Sequence, residues 1–161
     1  MKLNAWMNTN LGTQGYCLTR EESRRLALGL RFPTAVCWVL VATGVALESA
    51  PLLAALSVIG AVAGVARRHP FDYVWNHAAR HLFRAPAVPP NPMRRRHAFK
   101  VATVMLVALT TLFAAALTTA GLVLGVMLLT ACAAVTVFNF CIPSALMALW
   151  ARHRPREVRP A

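Results

Sequence analysis

Two long apolar runs alternate with three basic, polar blocks along this chain. No Lys or Arg occurs between Phe32 and Ala66 or between Val101 and Ala151; the basic residues fall between Lys2 and Arg31, between Arg67 and Lys100, and between Arg152 and Arg159. Each run is broken midway by a short turn without Lys or Arg, Glu48-Ser49-Ala50-Pro51 in the first and Thr118-Thr119-Ala120-Gly121 in the second. The pattern predicts an all-α integral membrane protein, with four transmembrane helices forming two hairpins. Every long connection and both termini are expected on the cytoplasmic face.

The expected spans are Leu30 to Leu47, Pro51 to Ala66, Phe99 to Thr119, and a fourth beginning at Gly121. The first two are short against the ~20 residues that cross a bilayer core, so a re-entrant first hairpin is the alternative to full crossing. The fourth stays apolar to Trp150, too far for one crossing, and should break near Cys141-Ile142-Pro143, where proline removes a helix hydrogen bond.

Around the spans, Thr19-Arg20-Glu21-Glu22 has the form of a capping box and predicts a helix start at Thr19. Pro70 to Arg84 reads as an amphipathic helix lying in the interface: Phe71, Val74, Trp75, Ala78 and Leu82 make its apolar stripe, and Asp72, Asn76, His77, Arg80, His81 and Arg84 its polar side. The expected units are a polar, poorly ordered tail (1–18), a hairpin with its interfacial helix (19–84), a stiff proline-rich linker (85–93), a second hairpin (94–150) and a basic tail (151–161). An internal pseudo-repeat fits both halves: an Arg cluster, a Phe entering the first helix (Phe32; Phe99), and a proline closing the hairpin (Pro70; Pro143).

Composition sharpens the class. Of 161 residues, 58% are hydrophobic, more than a soluble domain of this size can cover, while the net charge is +12. An Arg or Lys at the bilayer centre costs roughly 2.5–3.5 kcal/mol, which explains why the charge is confined to the connections. Arg67, Arg68, Arg80, Arg84, Arg94, Arg95 and Arg96 are therefore expected to meet anionic headgroups or an acidic partner, not nucleic acid. The first eighteen residues lack the apolar core of a signal peptide.

Candidate chemistry is sparse. None of the five histidines (His69, His77, His81, His97, His153) falls within a span, which argues against a His-ligated pigment in the bilayer. His77 and His81 share a helix face without a third ligand. Cys37 and Cys132 read as packing residues and Cys17 lies in the tail; Cys141, at the helix break with basic residues near, is the one thiol with a speculative role. The spans hold no ionisable side chain of the kind that proton or ion pumps use. Gly60 with Gly64, and Gly121 with Gly125, have the spacing that lets helices approach closely, within the chain or against a partner.

The Arg31-Phe32 entry, the His69-Pro70-Phe71 exit and the closing Phe140-Cys141-Ile142-Pro143-Ser144 together resemble a bacterial membrane family catalogued as domain of unknown function 4395. The resemblance spans about residues 24–150. It implies a multi-pass protein of the bacterial inner membrane, in some members associated with sulfurtransferase or thioredoxin-like proteins. Many members carry two cysteines around the closing motif; here Ser144 stands where the partner of Cys141 would be, which speaks against dithiol chemistry.

No catalytic residue, cofactor or metal is expected. The leading expectation is a small non-enzymatic subunit of a larger membrane complex, respiratory or photosynthetic for example. The alternative is a channel or carrier for a small neutral or sulfur-containing solute, or a thiol or sulfur relay through Cys141.

Overall fold

The computed structural model describes residues 2–153, so the basic tail lies outside it from residue 154 onward. Within it the chain forms helices α1 (Lys2–Thr13), α2 (Arg20–Ala46), α3 (Ala50–Val65), α4 (Pro70–Val74), a π-helical turn (Trp75–Ala79), α5 (Arg80–Leu82), α6 (Met93–Ala114), α7 (Thr118–Phe138) and α8 (Ile142–His153). Three helices, α2, α6 and α7, are long and apolar enough to cross a membrane. A fourth span is formed if α3 and Pro70–Leu82, bent by 81° at their junction, are taken as one.

Local chemistry sets the boundaries. Thr19 caps α2 through a capping box, its hydroxyl accepting from Glu22 N at 3.3 Å while its own N–H donates to Glu22 Oε2 at 2.8 Å. The first hairpin turns at Glu48, whose φ is 47°, and Ser49 caps α3 with Pro51 in its first turn. The second turn falls earlier than expected. It is made by Ala115, Ala116 (φ 57°) and Leu117, closed by Leu117 N donating to Leu112 O at 2.9 Å, so Thr118 already opens α7. The long fourth apolar stretch does break, with left-handed Asn139 (φ 53°) ending α7 and α8 starting at Ile142.

The hairpins pack crosswise. α3 lies along α6 and α2 along α7, and Val41, Val45, Leu53, Leu56, Leu106, Leu109 and Leu128 from these four helices form one buried cluster. The Trp38 indole N–H fastens α2 to α7 by donating to Leu129 O at 3.0 Å. Gly60 and Gly64 lie on the α3–α6 contact, Gly125 on the α2–α7 contact and Gly121 between α7 and α6. A Cβ would stand 2.6 Å from Thr103 at Gly60, 2.7 Å from Lys100 at Gly64, 2.6 Å from Phe113 at Gly121 and 2.9 Å from Val45 at Gly125. All four close approaches are made within the chain.

The N-terminal segment corrects the expectation of a poorly ordered tail. α1 docks on the α7–α8 break, where Asn10 Nδ2 donates to Phe138 O at 3.0 Å and Gln14 Nε2 to Asn139 O at 2.6 Å. Trp6 lies against the rings of Phe138 and Phe140. The break leaves backbone carbonyls without helical partners, and amide side chains of this polar segment satisfy them. Its asparagines and glutamine thus act as structural donors.

Candidate functional site

The connection between the hairpins is a network of buried polar side chains. His69 caps α4: its Nδ1 accepts from Phe71 N at 3.1 Å, and its own backbone N–H donates to Asp72 Oδ2 at 2.7 Å. That carboxylate oxygen also accepts from Asn91 Nδ2 at 2.7 Å. Asn91 Oδ1 accepts from the Tyr16 hydroxyl at 2.9 Å, and that hydroxyl accepts from Arg95 Nη1 at 2.9 Å. A directed chain of donors, Arg95 to Tyr16 to Asn91 to Asp72, therefore joins the start of α6, the N-terminal segment, the linker and α4. Burial raises the Tyr16 pKa although Arg95 opposes it, so the phenol keeps the proton it donates.

The face expected to be solvated is partly internal. Asp72 and Asn76 are buried with Trp75 and Ala79, while Val74 and Leu82, from the expected apolar stripe, are exposed. The linker is laid onto this face: Asn76 Oδ1 accepts from Val88 N at 2.8 Å and Nδ2 donates to Val88 O at 3.4 Å, as a neighbouring strand would. The linker is extended but docked, not a free spacer.

Below this network lies a cavity of about 140 Å³ with almost wholly apolar walls. Cys37 of α2, Cys132 of α7 and Cys141 just before α8 all line it, as do His69, Gln14 and Arg95. Since His69 Nδ1 accepts a backbone N–H, the neutral ring carries its proton on Nε2, which lies 3.7 Å from Cys37 Sγ. Burial, with Arg95 adding to it, pushes the His69 pKa down to about 4, so the ring is neutral at physiological pH. Cys141 is buried, and its sulfur accepts from the Ser144 hydroxyl at 3.2 Å. Among the described residues no cluster of three or more His, Cys, Asp or Glu side chains could hold a metal ion.

The residue pairs that carry the motifs thus sit on one construction. Phe32 packs on Trp75 at 5.2 Å, His69 opens α4, and Cys141 borders the cavity from the break before α8. A family model described as Domain of unknown function (DUF4395) matches residues 27–152. The chain belongs to this family. No curated protein and no solved structure matches it.

In this DUF4395 chain the predicted site residues divide. Arg95 is corrected: expected at headgroups, it is only 4% exposed, donates to Tyr16 and to Leu30 O at 2.8 Å, and its guanidinium lies over the Tyr16 and Phe99 rings. Arg67 and Arg84 are exposed, and Arg68, Arg80, Arg94 and Arg96 are half-buried. Arg96 donates to Val65 O at the end of α3, where a cation suits the helix dipole, and Arg94 reaches Thr13 O at 3.5 Å. His77, His81 and His97 are exposed and away from the cavity, Cys17 likewise, and the His153 side chain lies outside the described residues.

The sequence does not show the convergence of Cys37, Cys132 and Cys141 with His69. One signal was present. Cys37 lies about two turns into its span from the basic side and Cys132 about two turns from the break, which puts the thiols at similar depth. Whether they face each other depends on α2 pairing with α7, and neither helix's own pattern records that.

Proposed function

We propose that this protein binds and carries a small, soft, sulfur-containing solute in the thiol-lined cavity, without catalysing a reaction. One observation carries the reading: three of the four cysteines and a neutral, buried histidine line the same cavity. Polarisable thiols suit a sulfur-bearing solute better than a strongly hydrated one. The volume fits as well, since an apolar cavity of roughly 150 Å³ accommodates a molecule the size of benzene.

The proposed setting is the bacterial inner membrane, with both termini and the Arg67–Lys100 connection cytoplasmic. The remaining exposed or half-buried arginines (Arg67, Arg68, Arg80, Arg84, Arg94, Arg96) would hold α4 and α5 on anionic headgroups, contributing about 1 kcal/mol each near the surface. The pseudo-repeat has support in α4 and α8: each follows a hairpin, and each has proline in its first turn (Pro70; Pro143).

The accessory-subunit reading rested partly on glycine faces open to a partner. Those faces are occupied by intrachain contacts, which leaves the basic platform as its positive support beside the lack of ionisable residues in the spans. The test is alkylation of the full chain in mild detergent by iodoacetamide, followed at each cysteine by mass spectrometry. A small sulfur-containing solute, dimethyl sulfide or thiocyanate, should slow Cys37, Cys132 and Cys141 together and leave Cys17 untouched. No protection by either, together with co-purification of the chain in a stable heteromeric complex, would overturn the binding reading in favour of the subunit.

A further inference from the structure

The cavity has a charge as well as a shape. No Asp or Glu lines it, and Arg95 brings its one formal charge among the described residues. A guanidinium has five N–H donors; among the described residues that of Arg95 makes two hydrogen bonds, to Tyr16 and to Leu30 O, and its face lies over the Tyr16 and Phe99 rings. The nearest carboxylate in its network, Asp72, is reached only through Tyr16 and Asn91. None stands within ion-pair distance, since the ion pair formed among the described residues is Arg25 with Glu21. A permanently charged group so deeply buried calls for a counter-charge; Asp72 acts on it only at a distance, and the cavity, which Arg95 lines, is the space beside it where a second negative charge can be held. α8 also starts on the cavity wall, at Ile142 and Pro143, and the positive end of its dipole adds to the field.

We infer that the solute is a small monovalent anion, its charge set against Arg95 and its polarisable body lodged among Cys37, Cys132 and Cys141. The apolar walls select for weak hydration. A sulfur-bearing monoanion gives up little on entering, whereas sulfate or phosphate would lose a strong hydration shell against a single guanidinium. The inference rests on the binding reading above and specifies the charge of what is bound.

The alkylation experiment separates the two. At constant ionic strength, thiocyanate at about nine times its dissociation constant should slow alkylation of the three cavity thiols about tenfold, because a tenth of the molecules remain empty. Sulfate should leave the rates unchanged, and dimethyl sulfide should protect less than thiocyanate. Thiocyanate generally loosens proteins, so protection by it runs against its nonspecific effect. R95Q should abolish protection by thiocyanate, and R95K should retain part of it. Ala131→Leu, which fills the wall while leaving Arg95 in place, should abolish protection by either solute.

If dimethyl sulfide protects as well as thiocyanate, and R95Q leaves both unchanged, the solute is neutral. The anion inference then falls while the binding reading stands. If neither solute protects the wild type, both fall. Should R95Q fail to fold, the wild-type comparison of thiocyanate with dimethyl sulfide decides the matter.

Discussion

Cys37 Sγ lies 3.7 Å from His69 Nε2, joining a helix of the first hairpin to the residue that begins the next polar segment. The contact follows from the cap. With Nδ1 engaged by Phe71 N–H, the imidazole has one nitrogen left, and it faces the sulfur.

The first prediction concerns pH. His69 is held neutral, with its folded pKa lowered to about 4 from 6.5. A group with a depressed folded pKa stabilises the fold above its unfolded value, and the contribution is lost as pH falls. Stability should therefore decline between pH about 6.5 and about 4, by up to about 3 kcal/mol from this group. H69N keeps a capping acceptor without the titration. Unfolding of both proteins in detergent across that window checks it; parallel curves for wild type and variant would exclude His69 as the source.

Gly29 tests the docking of the linker. A Cβ there would stand 2.5 Å from Val88 Cγ2 and 2.6 Å from Trp75 Nε1, both on fully or nearly fully buried side chains. Gly29→Ala should destabilise the protein by about 1–3 kcal/mol through overpacking, despite alanine's better helix propensity. The control Gly12→Ala meets nothing within 4 Å and should not destabilise it. Thermal unfolding of the two variants side by side gives the answer.

Ser144 Oγ lies 3.2 Å from Cys141 Sγ, on the first turn of α8. S144C should accordingly create a dithiol that a mild oxidant such as diamide closes to a disulfide, as the wild type cannot at this position. A two-dalton loss in the peptide covering residues 139–150 would register it; two free thiols after oxidation would mean that the side chains diverge.

Topology has its own test. Glu48 Oε2 accepts from Thr118 Oγ1 at 3.2 Å, so the tips of the two hairpins meet. A cysteine replacing the exposed Thr119 should be labelled by an impermeant maleimide from the periplasmic side of intact spheroplasts. Labelling only after the membrane is opened would place the tips in the cytoplasm and reverse the proposed orientation.

The sequence by itself determined the helical class, the membrane character, the capping box at Thr19 and the break before α8. These depend on period, desolvation and proline, which act locally or on one residue type at a time. One difference is local too: Ala116, in a left-handed turn that no glycine or asparagine announces, puts the second hairpin turn ahead of Thr118. What only the tertiary structure decided is which polar groups are internal. Arg95 looks like its neighbours Arg94 and Arg96, and Asn10 and Gln14 look like any solvated tail. Each is singled out by a partner distant in sequence, Tyr16 and Leu30 for Arg95, Phe138 for Asn10, Asn139 for Gln14. The crosswise pairing of α2 with α7 and of α3 with α6 put Cys37, Cys132, Cys141 and His69 around one space. Within a membrane every apolar face of a helix is equally content against lipid, so hydrophobic pattern does not choose between neighbours. Close glycine approaches and buried hydrogen bonds make that choice, and they exist only once both partners are in place.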